Sequence, residues 1–112
     1  MSDKRKNTRV PLDIYLNKYM KGVPYLAHAA DISQEGVSLS RLIEPSHDAR
    51  RVGLQFQLPG SEEVIYAEGE VVREWVEASP RQNERSGVRF TLLTERHRRM
   101  IDDYVTRSTQ GH

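Results

Sequence analysis

Arg5 and Arg9 stand four residues apart near the start of the chain. That spacing puts both guanidiniums on one face whether the segment is helical or extended. Two planar forks on one face suit phosphates, or the O6 and N7 acceptors on the outer edge of guanine. Further on comes Asp31-Ile32-Ser33-Gln34-Glu35-Gly36. In extended chain Asp31 and Ser33 project to the same side. A carboxylate can accept from the N–H donors on the other edge of guanine, and a hydroxyl can bond a phosphate or ribose oxygen. Gly36 permits a positive φ where the chain reverses into the next strand. Read alone, the stretch is a turn with Asx and Ser hydrogen bonds to its own backbone. Read with the two arginines, it complements a guanine nucleotide.

The remainder of the chain supplies the scaffold for these side chains. At 112 residues it is long enough for one domain with a modest core. Hydrophobic residues make up 37% and charged residues 29%, which suits a globular protein and argues against disorder. No apolar run approaches a membrane span, the basic N-terminus lacks the apolar core of a signal peptide, and there is no cysteine. A cytoplasmic protein without membrane contact or a metal site is expected. The 17 basic and 16 acidic residues nearly cancel, which argues against a nucleic-acid polymer as partner. Basic charge is local: Lys4, Arg5, Lys6 and Arg9 crowd the first nine residues, which read as a flexible arm.

After Pro11, Leu12, Ile14 and Leu16 alternate with polar residues as a half-buried strand. Lys21-Gly22 marks a turn, and residues 23–30 read as a second strand diluted by Pro24 and three alanines. Val37 and Leu39 alternate with Ser38 and Ser40 in a third strand. Residues 44–51 read as a loop around Pro45. Val52, Leu54, Phe56 and Leu58 make a fourth strand, closed by a type II turn at Leu58-Pro59-Gly60-Ser61. Residues 64–76 form a long strand in which Gly69 suggests a bulge or bend. Residues 78–85 read as a loop around Pro80, and Val88, Phe90 and Leu92 define a sixth strand. Then the period changes. Thr94 is placed to cap a helix, and Met100, Ile101, Tyr104 and Val105 form one apolar stripe as far as about Arg107. Six strands with short connections followed by a helix imply a mainly β protein: a curled antiparallel sheet or barrel with the helix packed on it.

Arg-x-x-x-Arg at Arg5 to Arg9, followed after one strand pair by Asp-x-Ser-x-x-Gly at Asp31 to Gly36, resembles the PilZ domain family. Gly87-Val88-Arg89-Phe90 looks like that family's late strand, and the helix from Thr94 lies where the family has its C-terminal helix. The resemblance covers residues 4 to 106 and implies a stand-alone domain: arm 1–9, six-stranded antiparallel β-barrel plus helix 10–107, and a disordered tail 108–112. It implies cyclic di-GMP as ligand and no catalytic activity or cofactor. Arg5 and Arg9 would hold guanine and phosphate, Asp31 and Ser33 would meet the ligand from the barrel surface, and Gly36 would shape the turn beneath. Lys4 is placed to reach a second stacked ligand molecule. Trp75 shares strand parity with Gly69, Val71 and Arg73 and either stacks on a guanine, at about 1–3 kcal/mol per base, or fills the core. With no second domain in sight, such a protein is expected to act on a downstream effector protein, in motility or exopolysaccharide control, that the sequence does not name; oligomeric state is equally open.

Three other readings compete. His28, Asp31 and Ser33 supply the residue types of a hydrolytic triad, but no nucleophile-elbow sequence accompanies them. A ligand-free interaction adaptor of the same fold would have no need of the five motif residues. RNA binding would call for a more basic chain and an aromatic pair on a strand.

Overall fold

The expected alternation is present, and it closes on itself. In a computed structural model, residues 8–42, 49–76 and 84–110 are described. Lys4, Arg5, the rest of the expected arm to residue 7, most of the two loops around Pro45 and Pro80, and residues 111–112 lie outside them. The strands are β1 (Val10–Met20), β2 (Val23–Ile32), β3 (Gly36–Arg41), β4 (Arg51–Gln57), β5 (Val64–Val76) and β6 (Glu84–Leu92), followed by the helix α1 (Glu95–Gln110). All pairings are antiparallel, in the closed order β1-β2-β3-β6-β5-β4. The helix continues through residues 108–110, where a tail was expected; nothing in Arg107-Ser108-Thr109-Gln110 breaks a helix. Strand β6 likewise begins at Glu84, inside the expected loop.

The core follows from the pleat. Alternate residues of every strand face inward, with Ile32, Leu39, Leu54 and Ile65 among the largest fully buried side chains. Small residues keep the barrel narrow: Ala27, Ala29 and Ala67 are 0% exposed. The helix closes the barrel with Ile101 and Val105, both buried, while Met100 and Tyr104 pack against the same cluster. Tyr104 also donates its hydroxyl to the carbonyl of Pro11 at 3.0 Å, tying the helix to the start of β1.

Turn chemistry agrees with the sequence. Lys21 and Gly22 both take positive φ, 53° and 80°, the pattern of a type I′ hairpin turn. Gly60 has φ 82° and Ser61 N–H donates to Leu58 O at 3.0 Å, closing the turn expected there. Thr94 caps α1: His97 N–H donates to Thr94 Oγ1 at 3.2 Å. The register of β5 on β6 shifts between Glu68 and Gly69, the bend foreseen at that glycine, and shifts again between Val71 and Arg73.

A contact between α1 and the β4–β5 connection was not foreseen. Glu63 accepts from Arg96 Nε at Oε2 and from a terminal nitrogen of the same guanidinium at Oε1, at 2.7 and 2.6 Å, and His97 Nε2 lies 3.3 Å from Oε2 as well. The hydrogen bonds from Arg96 hold the Glu63 carboxyl below its usual 4.5, and His97 adds to the effect. Folded Glu63 therefore binds protons less readily than unfolded Glu63. Its contribution to stability is complete above pH 4.5 and is lost as the pH falls through the lower folded value. Glu63→Gln should melt below the parent at neutral pH. The gap should close on acidification below pH 4.5, as thermal melts at falling pH will show.

Candidate functional site

Strand β2 leaves its regular course just where the motif begins. Ala29 pairs with Leu39 and Asp31 with Ser38, so Ala30 is an extra residue. The bulge reverses the parity of the residues after it. Ala29 and Ile32, three apart, both face the core at 0% exposed. Asp31 is thereby turned outward, with its side chain 33% exposed. Across it lies Arg9. The Arg9 Nε donates to Asp31 Oδ1 at 2.6 Å, and a terminal nitrogen donates to Ser38 Oγ at 3.1 Å. Two of the five guanidinium N–H groups are engaged in these contacts.

Ser33 does not share that side. It is 1% exposed, and its hydroxyl lies inside the turn, accepting from Glu35 N–H and Gly36 N–H at 3.2 Å each. Ser33 N–H donates to Gly36 O at 2.8 Å. The expectation that Asp31 and Ser33 project together is thus corrected by the bulge and the turn. Ser33 builds the rim on which Asp31 and Arg9 sit.

Gly36 is required for a different reason from the one expected. Its φ is not positive; the residues with positive φ are Asp13, Lys21, Gly22 and Gly60 among those described. A Cβ at Gly36 would instead lie 2.1 Å from the Val88 carbonyl oxygen. The turn is clamped onto β6, where Phe90 N–H donates to Glu35 O at 2.8 Å.

Beside this rim is a shallow cleft of about 180 Å³, lined by Arg9, Ser33, Glu35, Val72, Gly87 and Arg89, with Gly36 and Val88 at its floor. Val72 is the extra residue where β5 slips on β6; it faces outward by the alternation of the strand, and the slip turns Arg73, of inward parity, outward beside it. Gly87 pairs with Ser38 on one side and Arg73 on the other. Arg73 stacks on Trp75, its guanidinium carbon 4.6 Å from the ring centroid, and the indole edge would lie 3.7 Å from a Cβ at Gly87. Trp75 is therefore half-buried on the outer wall and not in the core, and Arg9, Ser38, Gly87 and Trp75 run across the sheet in that order. Val72 carries no motif signal and Gly87 entered only through the late-strand resemblance; the register brings both to the cleft. Arg89 lines the cleft and approaches Glu70 at 3.4 Å.

The triad reading does not assemble. His28 Nε2 meets Asp13 Oδ1 at 2.7 Å and packs edge-on against Tyr15, while Ser33 is enclosed in its turn.

A six-stranded closed barrel with a C-terminal helix, and an arginine–aspartate pair set on a serine–glycine turn, define the class of protein. A sequence profile of the PilZ domain matches residues 3–107, and the chain belongs to the PilZ domain family. Solved structures agree in fold. The Bacillus subtilis inhibitor of motility MotI/DgrA superposes with a TM-score of 0.76 at 16% identity, over 92% of this chain and 50% of that one. The PilZ domain of YcgR from Escherichia coli, solved with c-di-GMP, gives 0.66 at 11% identity over 93% and 90%. PlzA of Borreliella burgdorferi, in complex with c-di-GMP, gives 0.60 at 16% identity over 88% and 39%. The chain thus spans half of MotI/DgrA and less of PlzA. No curated protein matches it in sequence. No helix among the described residues is long and apolar enough to cross a membrane.

The glycine geometry gives a paired test. Gly36→Ala forces backbone apart and should destabilise by about 1–3 kcal/mol or more. Gly87→Ala meets nothing nearer than 3.6 Å and should melt close to the parent. Urea titrations of both variants will show whether the two glycines separate in this way.

Proposed function

We propose that the chain is a non-catalytic receptor for cyclic di-GMP. The observation that carries the reading is Arg9, held by Asp31 and Ser38 at the mouth of the cleft with donors to spare. The guanidinium is oriented before the ligand arrives, so less entropy is lost on binding. The ligands of two structural relatives and the family's two motifs support the same nucleotide. Guanine and phosphate acceptors would take the remaining N–H groups of Arg9. Asp31 positions Arg9 and keeps a carboxylate oxygen for a guanine N–H. Ser33 and Gly36 hold the rim rigid, and Trp75 offers a stacking face one strand away.

The cleft is smaller than the roughly 300 Å³ at which small-molecule sites begin. It would hold part of the dinucleotide, and residues 1–7, joined to it through Thr8, would cover the rest with Lys4 and Arg5. Ordering them costs roughly 1–2 kcal/mol per residue, offset by charge-assisted bonds to the ligand. The closed arm would then change what a protein partner meets, in a cytoplasmic pathway such as motility or exopolysaccharide control.

Titration calorimetry with cyclic di-GMP on the parent and Arg9→Ala tests the reading. Micromolar or tighter binding should fall by about tenfold or more in the variant, the scale of a charge-assisted contact of ~1.5–3 kcal/mol. Asp31→Asn should weaken binding in the same direction with almost no change in melting temperature, because an exposed ion pair contributes about 0–1 kcal/mol to folding. The single tryptophan gives an independent signal: ligand should quench Trp75 fluorescence. No heat and no quenching from folded protein would leave an adaptor barrel in its place.

A further inference from the structure

The wall of the barrel away from the motif has a composition unlike the rest of the surface. Outward positions of β2, β1, β4 and β5 align in rows. One row is Leu26, Asn17, Gln55 and Tyr66; the next is Pro24, Tyr19, Gly53 and Glu68. In a chain that is 29% charged, Glu68 is the only charged side chain in the two rows. Flanking them, Tyr15 is 65%, Val23 47% and Val64 46% exposed, and within them Leu26 is 52% and Tyr66 47% exposed. Uncharged, tyrosine-rich patches inside a charged rim are the composition of protein interfaces.

The patch is also shaped. Gly53 makes a dip between Tyr19 and Tyr66, whose hydroxyl would lie 2.6 Å from a Cβ at Gly53. The Tyr19 hydroxyl donates to Gln55 Oε1 at 3.0 Å, which fixes that ring. Beside the dip is a cavity of about 480 Å³, rimmed by Lys21, Arg51, Glu68 and Glu70. On the adjoining row a separate, more open groove of about 280 Å³ lies among Gln55, Tyr15, Leu26 and Val64. Glu70 is shared with Arg89. Lys21 and Arg51 form no ion pair among the described residues. The rim therefore offers two cations against one uncommitted carboxylate.

We infer that this wall docks a segment of a partner protein that combines an aliphatic or aromatic side chain with neighbouring carboxylates. The apolar side chain lies in the groove between the tyrosines, and the carboxylates meet Lys21 and Arg51. Fixed rings bind at little entropic cost, and the cations reject basic segments. A second copy of the chain is the poorer occupant, because a two-fold axis through the patch brings the same excess of cations together. The inference does not rest on the nucleotide reading, since none of its residues lines the motif cleft.

The test starts from random peptides displayed on phage and selected on the full-length chain without nucleotide. Enriched peptides, made synthetically, are measured by fluorescence anisotropy on the parent, on Lys21→Glu/Arg51→Glu, on Leu26→Asp and on Arg9→Ala. The expected winners pair Asp or Glu with Leu, Phe or Tyr. Their affinity should drop about tenfold or more on each of the first two variants, the scale of losing one hot spot, and hold on Arg9→Ala. All substituted positions are exposed, and melts confirm folding. No enrichment, basic winners, or binding unchanged in both wall variants would overturn the proposal. A dimer in light scattering that Leu26→Asp dissolves would overturn it in favour of self-association.

Discussion

The approach of Gly36 to the Val88 carbonyl fixes the relation between the motif turn and the barrel. Backbone meets backbone there, leaving no room for a side chain at Gly36. The turn is thus pinned from three directions: by the Ser33 hydroxyl from within, by the β3–β6 ladder that starts at Gly36, and by the hydrogen bond from Phe90 to Glu35. Each bond alone contributes about 0.5–1.5 kcal/mol net. Together they make the rim rigid. A rigid rim lets a two-point contact from Asp31 and Ser38 aim an arginine whose own side chain has several free torsions.

The motif residues therefore divide by kind of work. Ser33 and Gly36 are conformational: one satisfies the amides of the turn, the other permits close approach. Asp31 and Arg9 are chemical, and they stay at the surface, with side chains 33% and 42% exposed. Burying them would have required desolvating both charges at a cost of several kcal/mol each. A half-exposed pair can exchange one partner for another, as a site that takes up a polar anion must.

Much of this was legible in the sequence. The alternation of Val52, Leu54 and Phe56, the change of period after Thr94, and the turns at Gly22 and Gly60 each follow from local rules, and local rules suffice for elements of that kind. The bulge at Ala30 was not legible. Nothing in Ala29-Ala30-Asp31 marks one alanine as extra, and a single inserted residue reverses every parity argument downstream. Gly36 was singled out correctly for the wrong reason, because the identity of a glycine does not say whether it serves a positive φ or a close contact. Val72 and Gly87 reach the cleft, and Ser38 reaches Arg9, only through inter-strand register, and the Glu63–Arg96 bridge spans 33 positions of sequence. Such long-range facts depend on how strands are shifted against one another, which a local pattern does not carry.

Closure of the sheet has a consequence for recognition. Every described strand has a neighbour on both sides, so no strand of the sheet is a full free edge for an incoming strand to zip onto. That leaves recognition by the sheet mainly to side chains on the outside of the cylinder. Side chains are also what mutation alters without disturbing the ladder. One set of outward side chains can therefore stay constant while another drifts, with the ladder beneath both unchanged.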